Sequence, residues 1–265
     1  MTRIADRYDA FLFDLDGVLY RGTDPVPGAA DAVDRLRDLG KGLAFVTNNS
    51  SRTPEEVVER LRSVGVAAAP TEVVTSALVT AEVLAARGVG TAFVVGERGL
   101  RDALAAHGVA VLEGEPREAD AVVVGWDRAA DYDKLRVASV LVERGAARGA
   151  ALLASNPDVS FPAAGGEVWP GAGALLAVIT ATTGAPAEVI GKPHAPLLEA
   201  AHARAGSGVP LMVGDRLDTD IAGAVALRWD SMLVLTGVST REDVRTSAFA
   251  PTYTAEDLSL LVEDA

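Results

Sequence analysis

The strongest constraint in this chain is a repeated pattern in which short apolar runs break off in polar clusters. Ala10-Phe11-Leu12-Phe13 ends in Asp14-Leu15-Asp16-Gly17, and Leu43-Ala44-Phe45-Val46 ends in Thr47-Asn48-Asn49-Ser50. Val189-Ile190-Gly191 runs into Lys192, and Leu211-Met212-Val213-Gly214 runs into Asp215, Asp218 and Asp220. Runs this short suit strands buried on both faces of a parallel sheet. Amphipathic stretches separate them, so the pattern predicts an α/β fold. Open parallel sheets bind ligands beyond the carboxyl ends of their strands. If the strands are parallel and adjacent, the four clusters converge on one crevice.

The intervening segments read as helices. Ala29, Ala32, Val33, Leu36 and Leu39 form one apolar stripe, stopped by Gly40. Thr53-Pro54-Glu55-Glu56 supplies an N-cap, a first-turn proline and a capping-box glutamate to a helix burying Val57, Val58, Leu61 and Val64. A strand near Val73-Val74 closes this first block. From about residue 79 the pattern restarts. Strands are expected at Ala92–Val95, Ala121–Val124 and Ala151–Ala154, with helices near 99–107 and 132–144 and another from about Pro170. Around residue 185 the first style resumes, with strands at Val189-Ile190, Leu211–Val213 and Met232–Leu235.

Composition removes several classes of function. With 265 residues the chain closes a core without help from disulfides, and it has no cysteine for a disulfide, a thiolate metal site or a thiol nucleophile. His107, His194 and His202 lack the spacing of a zinc site. A net charge of −13 with no basic run argues against nucleic acid. The charge-free stretch between Glu167 and Glu188 is long enough to span a bilayer. It is broken by Pro170, Gly171, Gly173, Gly184 and Pro186, which suits a buried helix and its flanks instead. Arg3, Asp6 and Arg7 precede the first strand without a signal-peptide pattern. These features predict a soluble cytoplasmic protein with no membrane or nucleic-acid partner. Arginine outnumbers lysine 21 to 3, so Lys41, Lys134 and Lys192 each call for a reason.

Carboxylates at 14 and 215, facing each other across a crevice, repel, which raises a pKa or demands a cation. A hard divalent ion such as Mg²⁺, with carboxylate, water and phosphate oxygens, resolves the conflict. Lys192 and the Thr47 hydroxyl then complete the charge neutralisation and positioning that phosphoryl transfer requires. Each cluster also has an ordinary reading. Asp14-Leu15-Asp16-Gly17 is a common turn sequence, Asp218 suits the N-cap of the following helix, and Lys192 suits a solvated loop.

Phe13-Asp14-Leu15-Asp16-Gly17-Val18, Thr47-Asn48-Asn49-Ser50, Gly191-Lys192-Pro193 and Gly214-Asp215-Arg216-Leu217-Asp218-Thr219-Asp220 resemble, in order, the four motifs of the haloacid dehalogenase (HAD) superfamily of phosphatases. Asn156-Pro157-Asp158 and Leu235-Thr236-Gly237-Val238 look like its IIA subfamily, which includes p-nitrophenyl, phosphoglycolate, pyridoxal phosphate and glycerol 3-phosphate phosphatases. The resemblance implies a Rossmannoid parallel-sheet core at 1–78 and 185–265, with an inserted α/β cap at 79–184. It implies Asp14 as nucleophile and metal ligand. Asp16 becomes the acid and base, giving the metal its main-chain carbonyl. Thr47 and the Asn48 amide hold the phosphoryl group, and Lys192 balances charge. Asp215 is the second metal carboxylate, with Asp220 supporting from behind.

The expected reaction is Mg²⁺-dependent hydrolysis of a small-molecule phosphate monoester, with glycerol 3-phosphate or phosphoglycolate favoured. Asn48, Asn49, Asn156 and Lys192 are the expected substrate contacts beside Thr47. Asp158, Trp126, Asp127 and Arg52 are further candidates. Caps of this subfamily often mediate dimers, so a homodimer through the cap is a further expectation. A phosphotransferase or mutase, or a non-catalytic phosphometabolite-binding regulator on the same scaffold, is the alternative. A response-regulator receiver fits worse, because it has no counterpart of the block at 79–184. Gly171-Ala172-Gly173 lacks the third glycine of a dinucleotide fingerprint, and no EF-hand spacing is present.

Overall fold

In the computed structural model, which describes residues 3–146, 149–162 and 167–263, the run Ala10–Phe13 is a fully buried strand at the heart of a six-stranded sheet. The order across this sheet is Tyr253–Ala255, Asp230–Val234, Pro210–Gly214, Ala10–Phe13, Gly42–Thr47 and Val73–Thr75. The pairings from Tyr253–Ala255 through Gly42–Thr47 are all parallel. Phe13 stands opposite Val213 on one side and Phe45 on the other. The rings of Phe11, Phe13 and Phe45 succeed one another at 6.4 and 6.3 Å between centroids, so the continuous apolar runs supply the interior of the sheet.

Helix Ala29–Asp38 buries Ala29, Ala32, Val33 and Leu36, the stripe expected from its periodicity. Helix Pro54–Ser63 buries Val57, Val58 and Leu61 in the same core. The α/β fold class expected from the sequence is the one observed.

By its internal contacts the chain forms two compact units. One comprises residues 1–47, 54–74 and 192–265, and the other residues 48–53 and 75–191. The second carries its own parallel five-stranded sheet, in the order Glu188–Val189, Ala151–Ala154, Ala121–Val124, Thr91–Val95 and Ala110–Leu112. Phe93, Val95, Val122, Val124, Val137, Leu141 and Ile179 form its core. Helix Ser76–Ala86, which no apolar stripe in the sequence announces, begins this unit, with the Thr75 hydroxyl capping the Leu78 amide. An antiparallel pair, Ser160–Pro162 with Val168–Pro170, extends from it.

Two expectations change. The run around Val189 is not a strand of the first sheet, because Glu188 and Val189 pair with Leu153 and Ala154 at the edge of the second. Helix Ala172–Thr183 is not buried throughout. Only Ala172 and Ile179 are buried along it, and Val178 is 46% exposed. Among the described residues no helix is long and apolar enough to cross a membrane.

Candidate active site

Three of the four polar clusters lie side by side because their strands are neighbours. Asp14 follows Phe13, Asp215 follows Gly214 and Thr47 ends Gly42–Thr47, all at the carboxyl edge of adjacent parallel strands. The Asp14 amide continues the ladder onto the Val213 carbonyl at 2.8 Å. Lys192 reaches the same place by another route, from the turn before helix Ala195–Ala205.

One carboxylate oxygen from each of Asp14, Asp215 and Asp220 lies within 4.8 Å of the others. The ammonium of Lys192, 2% exposed, contacts Asp14 Oδ1 at 2.5 Å and Asp220 Oδ1 at 2.7 Å. One ammonium cannot neutralise three carboxylates, and the electrostatics follow from that shortage. Burial pushes the Asp14 carboxyl up to about 8, against the pull of Lys192 and with the repulsion of Asp220 and Asp215. Burial and Asp220 push Asp215 up to about 7, despite the Val238 amide and Lys192. Burial pulls the Lys192 ammonium down, but Asp14 and Asp220 outweigh it and hold it above the usual lysine value.

Two glycines make room for Asp215. A Cβ on Gly17 would lie 2.5 Å from Asp215 Oδ2, and one on Gly237 would lie 1.9 Å from it. Gly17 also turns the chain at φ +86°, where L side chains are strained. The 236–238 segment fixes both groups. Thr236 Oγ1 donates to the Gly17 carbonyl at 2.6 Å, and the Val238 amide donates to Asp215 Oδ2 at 2.7 Å. In the sequence this segment stands out only as a family likeness. The signal that marks its role is a small-residue cluster directly after Asp230–Val234, another strand of the same sheet.

Asp220 sits on a single π-helical turn, Leu217–Ile221, which leads directly into helix Ala222–Leu227. Its Oδ2 accepts from the Arg216 amide at 3.1 Å while Oδ1 faces Lys192. Asp218 does not cap the following helix, since its carboxylate turns outward onto the Arg216 guanidinium. The Asp16 side chain is exposed and outside the carboxylate cluster.

The cluster fits a hard divalent cation. Asp215 Oδ1 and Asp220 Oδ1 are both buried with no hydrogen-bond partner among the described residues. Asp220 Oδ1 is ion-paired with Lys192 at 2.7 Å, which leaves Asp215 Oδ1 as the open oxygen. A buried carboxylate oxygen left open amid surplus negative charge matches the oxygen ligation of Mg²⁺.

The remaining candidates belong to the second unit. Asn156 is 4% exposed and turns inward. Its Nδ2 donates to the Asn48 carbonyl at 2.6 Å and its Oδ1 accepts from the Asp158 amide at 3.1 Å. Asn49 Oδ1 closes a local turn by accepting from the Ser51 amide and hydroxyl. Asn48 Nδ2 donates to Asp158 Oδ2 at 3.2 Å. Asp127 is paired with Lys134 at 2.8 Å, and Trp126 stacks on Phe161 with 4.3 Å between centroids. Arg52 is exposed, and its backbone packs against Gly99.

The chain is similar to known proteins along its whole length. A haloacid dehalogenase-like hydrolase model matches residues 11–110, and a HAD-hydrolase-like model matches residues 189–261. An acid sugar phosphatase of Staphylococcus aureus is 40% identical over 256 residues, 96% of each chain. The glycerol phosphate phosphatase of Mycobacterium tuberculosis, solved in complex with magnesium, is 37% identical with a TM-score of 0.91, covering 100% of this chain and 79% of that one. A 4-nitrophenylphosphatase of Thermotoga maritima is 32% identical with a TM-score of 0.89, covering 98% of both. The chain belongs to the haloacid dehalogenase-like hydrolases and is a phosphatase of that family.

Proposed function

We propose that this phosphatase hydrolyses a small phosphate monoester, with Mg²⁺, through an aspartyl phosphate formed on Asp14. The observation that carries this reading is the open Asp215 Oδ1 beside Asp14, in a cluster of three carboxylates that Lys192 alone cannot neutralise. In this reading Asp14 and Asp215 hold the metal with the Asp16 carbonyl. When bound, Mg²⁺ supplies positive charge to the carboxylates and to the phosphate oxygens.

Asp14 Oδ attacks phosphorus as the bond to the leaving oxygen breaks, and Asp16 gives that oxygen its proton. Thr47 and the Asn48 amide hold the transferring group, and Lys192 together with the cation would favour the ionised form of Asp14. Asp16, now a carboxylate, then takes a proton from water as the water oxygen attacks phosphorus. The bond from phosphorus to Asp14 breaks, releasing inorganic phosphate and restoring the carboxylate. The exposure of Asp16 suits it to meet both the leaving alcohol and water. Asp220, with both oxygens engaged, orients Lys192.

Substrate choice is assigned to the inserted residues 79–184, the cap of this reading, within the 1–78 and 185–265 core. Glycerol 3-phosphate is the favoured ester, and sugar phosphates are of the same polyol phosphate class. One relative is an acid sugar phosphatase, and a solved relative is a glycerol phosphate phosphatase. A phosphate-release screen over small monoesters with Mg²⁺ tests the reading. Turnover is expected to be fastest on polyol and sugar phosphates, with p-nitrophenyl phosphate hydrolysed as a generic activated ester. Failure to release phosphate from any ester would contradict it.

A further inference from the structure

The inward turn of Asn156 has a consequence for the reaction. The Asn48 carbonyl accepts two side-chain hydrogen bonds, from Asn156 Nδ2 at 2.6 Å and from Ser76 Oγ at 2.7 Å. Both donors are almost wholly buried, Ser76 at 0% and Asn156 at 4% exposure. Around them Ser155 Oγ contacts Ser50 Oγ at 3.0 Å, and Asn156 Nδ2 contacts Ser155 Oγ at 3.3 Å. Gly191 is packed into the same cluster. A Cβ there would lie 2.5 Å from the Ser155 carbonyl, 2.6 Å from Asn48 Oδ1 and 3.0 Å from Asn156 Cβ.

These contacts fix the two chain positions next to two residues of the catalytic reading. Asn48 directly follows Thr47, and Gly191 directly precedes Lys192. A peptide carbonyl held by two buried donors cannot rotate without stranding them, and stranding a buried donor costs more than a hydrogen bond gains. The peptide plane between Asn48 and Asn49, directly after Thr47 in the chain, is therefore fixed by these donors.

We propose that Asn156, aided by Ser76, is a positioning residue for phosphoryl transfer and not a contact to the leaving group. It acts through the Asn48 carbonyl and the Gly191 main chain on the placement of Thr47 and Lys192. This rests on the phosphatase reading above, in which Thr47, the Asn48 amide and Lys192 serve the phosphoryl group. Both ends of the Asn156 amide are held by protein groups, Nδ2 by the Asn48 carbonyl and the Ser155 hydroxyl and Oδ1 by the Asp158 amide, in a side chain that is 4% exposed.

The phosphoryl group is common to every substrate, whereas the leaving group is not, and this separates the two roles. Asn156→Ala, Asn156→Asp and Ser76→Ala are compared with wild type on glycerol 3-phosphate, a hexose phosphate and p-nitrophenyl phosphate, and inhibition by inorganic phosphate is measured alongside. The expected result is a loss of kcat/KM of about ten-fold per lost donor, the equivalent of one neutral hydrogen bond. The loss is the same for all three esters, and inhibition by phosphate weakens in parallel. Asn156→Asp, which places an acceptor against the carbonyl, recovers activity as the pH is lowered and its carboxyl gains a proton to donate. The double variant Asn156→Ala with Ser76→Ala loses a different amount from the product of the single losses, since both act on one carbonyl. Circular dichroism and a melting curve for each variant separate misfolding from misplacement, and Ser76→Ala removes the least volume. Wild-type turnover checks the underlying reading, whereas the ratio of variant to wild type checks this one. A loss confined to one leaving group, with phosphate inhibition unchanged, would overturn it.

Discussion

Lys192, 2% exposed, donates to Asp14 at 2.5 Å, so the expected nucleophile, whose side chain is 14% exposed, is held by a buried cation. Removing Lys192 takes away the cation that offsets burial and the repulsion of Asp220 and Asp215 at Asp14, so the carboxyl holds its proton more tightly and is less available as a nucleophile. Lys192→Met is expected to lower kcat by about 10²–10³, the scale found when one preorganised charge partner is removed. The fold should melt earlier and the Mg²⁺ requirement should rise. Steady-state kinetics at saturating Mg²⁺ with a melting curve checks this, and near wild-type kcat would remove Lys192 from the mechanism.

The carboxylate cluster makes a prediction about pH. In the folded chain Asp14 and Asp215 hold their protons up to about 8 and 7, whereas an unfolded aspartate releases its proton near about 4. Their folded pKa values are raised, so their contribution to the metal-free chain is fully present below about pH 4. It is lost as the pH climbs through the 7–8 range. A cation bound to the ionised carboxylates offsets that loss. The rise in melting temperature on adding Mg²⁺ should be small near about pH 5 and grow steadily toward about pH 8.5. A Mg²⁺ effect independent of pH would contradict the cluster as the metal site.

Gly237 is predicted to be as sensitive as the carboxylate it faces. A Cβ there would lie 1.9 Å from Asp215 Oδ2 and 2.4 Å from Asp215 Cβ, and neither the backbone nor the short Asp side chain can give that much. Gly237→Ala should cost about 1–3 kcal/mol of stability by overpacking. Displacement of Asp215 should also raise the Mg²⁺ concentration for half-maximal activity by about ten-fold. Titration of activity with Mg²⁺ measures this, and unchanged Mg²⁺ dependence would show that Asp215 is not a ligand.

Much of the fold is legible in the chain because it is local. Ala10–Phe13, Gly42–Thr47 and Pro210–Gly214 announce themselves as uninterrupted apolar runs, and parallel neighbours put their terminal residues in a row. What sequence does not supply depends on distant partners. The run at Glu188–Val189 looks like the others, but only pairing with Leu153 and Ala154 assigns it to the second sheet. Lys192 thus joins the cluster from a turn, and not from the end of a core strand as its preceding apolar run suggests. Asp218 and Asp220 are separated by one residue, and the π-helical turn Leu217–Ile221 sends one onto Arg216 and the other onto Lys192. Asn156 reads as a candidate substrate contact from its place in the 155–158 loop of the inserted block, and its main-chain partner depends on the fold. Its Nδ2 donates to the Asn48 carbonyl, 108 positions earlier. The scarcity of lysine is informative throughout. Lys41 bonds the Tyr8 carbonyl, Lys134 neutralises the buried Asp127, and Lys192 serves the cluster.

Passage of the phosphoryl group through Asp14 can be caught by disabling Asp16. p-Nitrophenolate leaves without needing a proton, so Asp16→Asn should still phosphorylate Asp14 but fail to activate water against the product. Stopped-flow mixing of this variant with p-nitrophenyl phosphate and Mg²⁺ should give a rapid burst approaching one p-nitrophenol per active site, followed by slow turnover. The burst should vanish when Asp14→Asn is added. Linear release without a burst, or a burst that survives Asp14→Asn, would contradict an aspartyl phosphate at Asp14.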